Sequence, residues 1–257
     1  MFTANPFSPL AEFMSPAVMQ AYLVLMALAV AAGTVFDMLH KQSARFFARD
    51  WRASRAAATR PLDGGELASL AARTLIKEVA TSGEFCNPAR RISHLLMSYG
   101  FVLYLVTTIV MVCFYPTPAT PTPAALPLLW NLGALMVLVG GYWFFFRLRV
   151  DVAHEGHSPF RLRRADLFIV TLLASVTFAL IWEGVQATQN PTASWICFGL
   201  YIFFTTLLFV SVPWSKFAHM FYKPVVAFQR RVEEANGSSS LPAPTTTGEE
   251  RCPPSHT

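Results

Sequence analysis

The chain has 257 residues, of which 54% are hydrophobic and 14% are charged. Soluble domains usually carry about 25% charged residues, and the shortfall here falls in long uncharged blocks. This composition excludes an ordinary soluble domain and indicates an integral membrane protein. The formal charge of +5 comes from basic loops that set the orientation of the spans, so it does not indicate nucleic-acid binding.

Five blocks of about 20 apolar residues are long enough to cross the hydrocarbon core as helices. An amphipathic segment is predicted to continue from the last of them, past Pro213, to about residue 232. The predicted fold class is therefore an all-α integral membrane protein, a bundle of about five transmembrane helices. The five blocks are residues 17–39, 92–115, 126–146, 167–187 and 194–212.

The predicted organisation has three parts. Residues 1–16 form an outer N-terminal segment, and residues 17–232 form the transmembrane domain, which includes a long cytoplasmic loop at 41–91. Apolar residues at helical spacing predict a short amphipathic helix within this loop, at about residues 65–80. Residues 233–257 are rich in Ser, Thr and Pro, which predicts a disordered cytoplasmic tail.

The basic residues are completely segregated. All 20 Lys and Arg lie in the 41–91 loop, the 147–164 loop or the segment after the fifth block. The N-terminus, the Pro-rich connection at 116–125 and the 187–194 turn contain none. The positive-inside rule then places the N-terminus outside and the C-terminus in the cytoplasm, in a bacterial cytoplasmic (inner) membrane.

The six histidines all lie at or beyond the predicted cytoplasmic ends of the spans, and two of them form a possible ligand pair. His94 begins the second block and His219 follows the fifth. Two imidazoles that face each other across a helix bundle are what a low-spin haem b requires. The cations Arg90, Arg91 and Lys216 are candidate partners of the haem propionates. The alternative is that both histidines are interfacial residues that bind nothing.

Three segments carry a resemblance to a known family: HLLMSYGF, FCNPARRISH and, above all, PWSKFAHMFYKP. They resemble the membrane cytochrome b family of the respiratory nitrate reductase gamma subunit type. Within it, the chain is similar to relatives in sulfur metabolism, the membrane anchors of adenylylsulfate (APS) reductase and the membrane domains of quinone-interacting oxidoreductase complexes. The resemblance implies haem b, quinone as substrate and a cytoplasmic oxidoreductase, such as adenylylsulfate reductase, as partner.

The chain departs from the pattern of this family in one respect. The family typically ligates two stacked haems with four histidines, and His94 and His219 match the cytoplasmic pair. No histidine occurs between residues 95 and 153 or between 158 and 218, so the deeper pair is missing. The deep positions hold Tyr99, Tyr104 and Tyr201 instead. We therefore expect at most one haem b of the bis-histidine type.

Two other places in the sequence are weaker candidates for a functional site. Glu183 lies near the outer end of the fourth block, and an acid within a span is a candidate quinone or proton site by default. Its nearness to the interface favours the alternative, a solvated carboxylate at a helix end. In the 147–164 loop, His154, Glu155 and His157 suggest a metal site only weakly, and a docking surface is the better interpretation. No metal other than haem iron is predicted.

No catalytic motif is recognisable, so catalysis is expected to belong to a partner. The first hypothesis is a membrane anchor and electron-transfer subunit that links a cytoplasmic oxidoreductase to the quinone pool. Its partner is expected to dock on the basic inner loops, because no outer connection offers an interface of roughly 800 Å². The alternatives are a purely structural anchor without haem and a small transporter. Transporters usually place ionisable groups at the bilayer midplane, which this sequence lacks.

Overall fold

The computed structural model describes residues 2–40, 43–82, 85, 87–149, 156–214 and 219–239, and the side chains of 43–44, 78–79, 165, 214 and 219–223 lie outside that description. Within the described residues the chain divides into two compact units. The first comprises Met1–Val35 and Ile92–Phe217, and the second comprises Phe36–Arg91 and Ala218–Thr257.

The described part of the chain is helical and contains no β-strand. Five helices are long and apolar enough to cross a membrane, which confirms the predicted fold class. The helices are α1 (Pro16–His40), α2 (Ser43–Ala56), α3 (Gly64–Thr74), α4 (Pro88–Phe114), α5 (Ala125–Trp143), α6 (Leu167–Gln186), α7 (Pro191–Val210) and α8 (His219–Asn236). Short π-helical turns extend α3 through Leu75–Ala80 and α5 through Phe144–Leu148, and 3-10 turns occur at Ser8–Glu12, Arg164–Asp166 and Val212–Trp214.

The fifth span ends earlier than the sequence analysis predicts. Helix α7 stops at Val210, and Pro213 lies in the 3-10 turn that follows. A proline lacks the amide N–H and its ring clashes with the carbonyl four residues earlier, which favours the end of the helix before Pro213. The amphipathic segment is consequently a separate helix, α8, and it reaches Asn236. The amphipathic helix expected at about 65–80 is present as α3 with its π-helical extension.

Helices α4 and α5 are in direct backbone contact. A Cβ atom placed on Gly133 would lie 2.7 Å from the backbone nitrogen of Tyr104 and 2.9 Å from the carbonyl oxygen of Gly100. About two turns further along α5, the carbonyl oxygen of Gly140 accepts a hydrogen bond of 2.8 Å from the buried Ser93 hydroxyl of α4. Small residues at such crossings let two membrane helices approach closely and gain packing energy.

We expect the substitution Gly133→Ala to lower the thermal unfolding temperature of the purified protein in detergent. The new methyl group meets backbone atoms of α4, which cannot rotate away, and overpacking of this kind costs about 1–3 kcal/mol. The matched control is Gly199→Ala in α7, where a Cβ meets nothing within 4 Å. That control should unfold at the wild-type temperature or above it. Equal unfolding temperatures for the two variants would contradict the close contact.

The N-terminal segment covers one end of the first unit. The ring of Phe7 is buried, with its centroid 6.0 Å from that of Trp130 and 5.5 Å from that of Trp182. The Asn5 amide donates to the carbonyl oxygen of Tyr115 and to the Thr122 hydroxyl, at 2.9 and 3.1 Å. This segment therefore seals the bundle at the end where α4 finishes and α5 begins.

The second unit joins α2 and the loop after it to the C-terminal end of α8. The Trp51 ring stacks on Phe228 at 6.0 Å, and the Thr59 hydroxyl donates to the carbonyl oxygen of Asn236 at 3.0 Å. Gly237 has φ +76°, a left-handed conformation that glycine adopts without strain, and it ends α8 against Thr59. The long loop and the segment after the fifth span thus fold together.

Candidate functional site

The first predicted haem ligand, His94, lies in the first turns of α4. Its side chain is half-buried, and Nδ1 lies 3.5 Å from the hydroxyl oxygen of Ser98, one turn further along the helix. The adjacent residue, Ser93, is the one that bonds to Gly140 of α5. The backbone that carries His94 is therefore held in a fixed register against a neighbouring span.

Two of the predicted propionate partners, Arg90 and Arg91, differ in the hydrogen bonds that they already make. Arg90 precedes His94 by four residues in α4, so the two share a helix face. Its Nη2 atom is buried and has no hydrogen-bond partner among the described residues. Arg91 instead donates from Nε to the carbonyl oxygen of Thr81 at 2.8 Å. A carboxylate would satisfy this nitrogen of Arg90, whereas Arg91 is already bonded to a carbonyl oxygen.

The second predicted ligand, His219, is the first residue of α8, in the second unit. Its side chain lies outside the described part of the chain, as does all of Lys216. His94 belongs to the first unit. The pairing of the two histidines on one haem iron therefore stays a prediction.

The surroundings of Glu183 overturn the expectation of a solvated carboxylate. The residue is 4% exposed, and its Oε1 accepts a hydrogen bond of 3.0 Å from the Asn131 amide of α5. Asn131 also donates to the carbonyl oxygen of Pro127. The second carboxyl oxygen, Oε2, is buried and has no hydrogen-bond partner within the described residues. A buried acid with one free oxygen is a stronger candidate site than the sequence indicated.

Asn131 is the residue that the sequence analysis missed in this site. It is the one amide side chain in the block 126–146, and this isolated polar residue could have indicated a contact with another span. A single amide among apolar residues needs a partner on a neighbouring helix, because hydrocarbon offers none. The sequence alone does not say which of the other four spans supplies it.

Hydroxyl groups form a second polar layer, deeper in the bundle. Tyr104 and Tyr201 are buried there, whereas Tyr99, the third tyrosine expected at depth, is exposed at the surface of the first unit. Ser175 and Thr205 join α6 to α7 with a hydrogen bond of 2.7 Å between their hydroxyl oxygens. The indole nitrogen of Trp130 donates to the Thr108 hydroxyl at 2.9 Å, which joins α5 to α4.

A buried ion pair between Arg149 and Asp166 joins the two ends of the loop between the third and fourth spans. Arg149 Nη1 lies 2.9 Å from the carboxylate of Asp166, and Nη2 donates to the carbonyl oxygens of Pro159 and Arg161. His157 Nε2 lies 2.7 Å from a guanidinium nitrogen of Arg161. His154 and Glu155 lie outside the described residues, and among the described ones no group of three metal-ligating side chains forms.

Comparison with known proteins gives one distant likeness to a curated protein. Citrate utilization protein B of Escherichia coli is 26% identical over 208 residues, which cover 75% of this chain and 52% of that protein. The chain thus spans about half the length of the curated relative it matches. No family model matches the chain, and no solved structure matches it.

Proposed function

We propose that this chain is the membrane anchor and electron-transfer subunit of an oxidoreductase complex, linking a cytoplasmic enzyme to the quinone pool. The single observation that carries this proposal is the α4 segment, where the half-buried His94 shares a helix face with an arginine that has an unsatisfied buried nitrogen. An imidazole and an unpaired guanidinium on one face at a span end suit a haem with anionic propionates.

One haem b, held by His94 and His219, supplies a one-electron carrier when bound. Arg90 would hold a propionate of that haem, and the apolar spans would exclude water from it. Lys216 and Arg91 stay candidates for the second propionate. Glu183, near the opposite end of α6, is the candidate proton site, since Asn131 holds one carboxyl oxygen and leaves the other available.

The partner is a cytoplasmic oxidoreductase, and two classes have support. The family resemblance of three short segments favours adenylylsulfate reductase. The similarity to citrate utilization protein B extends over 208 residues and favours an enzyme of citrate utilization. Because an alignment of that length rests on more positions than the motifs do, we favour an oxidoreductase of citrate utilization.

The same relative raises a transporter as the competing function, and the composition of the spans argues against it. The blocks 95–115, 126–146, 167–187 and 194–212 contain no Lys, Arg or His. A citrate anion within the membrane needs cationic partners there. The buried acid of these spans, Glu183, would repel such an anion.

The orientation of the proposed subunit follows from its charges. All 20 Lys and Arg belong to the loops and helix on the proposed cytoplasmic side, which supports an outer N-terminus and a cytoplasmic C-terminus in the inner membrane. In this orientation the second unit, with α2, α3 and α8, faces the cytoplasm and offers the docking face for the oxidoreductase.

The test is a visible spectrum of the purified protein, recorded oxidised and after reduction by dithionite. We expect a reduced b-type α band and no more than one haem per chain. In native membranes, reduction of this haem after addition of citrate but not of a sulfur oxyanion identifies the favoured partner. A clean preparation without haem would refute electron transfer and leave a purely structural anchor. Two haems per chain would refute the single-haem assignment.

A further inference from the structure

Apolar and basic side chains are interleaved in the part of the loop that leads into the fourth span. The five residues of this segment, 160–164, are all exposed: Phe160, Arg161, Leu162, Arg163 and Arg164. Phe160 is 77% exposed, more than any other large apolar side chain among the described residues, and Leu162 is 57% exposed. Large apolar side chains among cations suit the boundary between the acyl chains and the head groups of a membrane.

The buried Arg149, directly after the third span, fixes the position of segment 160–164. Its Nη2 atom donates to the carbonyl oxygens of Pro159 and Arg161, at 2.7 and 3.2 Å. Its Nη1 atom lies 2.9 Å from the carboxylate of Asp166, at the start of the fourth span. The segment is therefore held beside the ends of the two spans.

A row of aromatic rings joins the segment to the surface of the third span. The ring centroid of Phe160 lies 6.2 Å from that of Phe146, which in turn stacks on Tyr142 at 5.9 Å. Phe146 belongs to the apolar helix that ends at Leu148, and its side chain is 39% exposed. Tyr142 and Trp143 are also more than a third exposed, as is typical of the aromatic residues at a membrane–water interface. Phe160 consequently lies at the level of this interface, on the side that faces lipid.

The cations of the segment lack an acidic counterpart in the described part of the loop. The one acid there, Asp166, is already paired with the buried Arg149. Arg161 lies 2.7 Å from Nε2 of His157, but a guanidinium can only donate, so this nitrogen accepts and the charge of Arg161 is not neutralised. Two further acids of the loop lie outside the described residues: Asp151 and Glu155. Phosphate oxygens would supply the negative charge, and the fork of an arginine binds two of them at once.

We propose that segment 160–164 binds an anionic phospholipid at the membrane surface. Phe160 and Leu162 lie among the acyl chains, and Arg161 and Arg164 bind the phosphate of the head group. An acidic protein surface would satisfy the arginines but not Phe160, whose ring lies against the lipid-facing Phe146, so lipid is favoured over the oxidoreductase. The inference goes beyond the proposed function, because it needs only the membrane-spanning fold and not the haem.

The first test is native mass spectrometry of the purified protein in detergent, titrated with dioleoylphosphatidylglycerol or dioleoylphosphatidylcholine. The wild type is expected to bind the anionic lipid roughly tenfold more tightly than the zwitterionic one. The double variant Arg161→Gln, Arg164→Gln should bind phosphatidylglycerol roughly thirtyfold more weakly, about fivefold for each arginine. Equal affinities of the wild type and the double variant for phosphatidylglycerol overturn the site.

The matched control, Arg60→Gln, Arg230→Gln, also removes two exposed arginines. These already pair with carboxylates, of Glu66 at 2.9 Å and of Glu234 at 3.1 Å, so the affinity for phosphatidylglycerol should stay at the wild-type value. An equal loss in the control would reduce the effect to net charge and overturn the site. Excess inorganic phosphate should not displace the lipid, because a free anion has no acyl chains to cover Phe160; displacement would overturn a lipid site.

The second test measures the depth of residue 160 with the variant Phe160→Trp, in nanodiscs that contain phosphatidylglycerol. We expect lipids brominated on their acyl chains to quench the emission of the added indole, and iodide in the water not to quench it. The opposite pattern overturns the proposal. Loss of a co-purifying oxidoreductase from Arg161→Gln, Arg164→Gln, with the affinity for phosphatidylglycerol unchanged, also overturns it and assigns the segment to the protein partner.

Discussion

Replacing His94 by alanine is expected to abolish the b-type spectrum of the purified protein, and replacing His219 by alanine should have the same effect. Low-spin bis-histidine ligation needs a nitrogen from each side of the iron, so loss of either ligand removes it. The five spans should still insert, because their apolar length and not one side chain at a span end drives insertion. The measurements are the reduced-minus-oxidised spectrum and the protein yield in the membrane fraction.

The matched control is His157→Ala. This imidazole lies in the loop between the third and fourth spans, where it contacts Arg161, and its loss should leave the spectrum unchanged. A second variant, Arg90→Gln, should retain haem but shift its midpoint potential, because it removes a positive charge that faces a propionate. A b-type spectrum that survives in the His94→Ala, His219→Ala double variant would show that the ligand assignment is wrong.

The five spans are the part of the fold that the sequence predicts well, within about four residues at their ends. Hydrocarbon offers backbone groups no hydrogen-bond partner, so any apolar block of this length has to be helical. Helix α2 was not predicted, because its apolar residues Phe47 and Trp51 are interleaved with arginines. The Trp51 ring packs on Phe228 of α8, which lies far away in the sequence.

The candidate site, like the fold, is predicted by the sequence only in part. The sequence identifies His94 and Glu183 as ionisable residues in apolar surroundings, but it does not reveal their neighbours. The burial of Glu183 follows from Asn131 on another span, and Phe7 lies against the adjacent Trp182. The burial of Tyr104 is likewise a consequence of how four helices meet. Such tertiary neighbours leave no pattern in the local sequence, so only the structure shows them.

Replacing Arg149 by methionine is expected to destabilise the protein by about 3–5 kcal/mol, since removing one partner of a buried ion pair strands the other. The side chains of Arg149 and Asp166 are only 6% and 12% exposed, and Asp166 would keep the Arg163 backbone N–H as a donor. The arginine also lies 4.8 Å above the Phe145 ring. Thermal unfolding in detergent measures the change.

The control for Arg149 is Arg230→Met, at an ion pair of similar length. Arg230 lies 3.1 Å from Glu234, but its side chain is 61% exposed, so its loss should cost less than about 1 kcal/mol. The double variant Arg149→Met, Asp166→Asn should recover part of the lost stability, because the asparagine removes the stranded charge and still accepts from Arg163. If the double variant is less stable than Arg149→Met alone, the stranded carboxylate is not the cause, and the loss comes from the carbonyl contacts of Arg149 with Pro159 and Arg161.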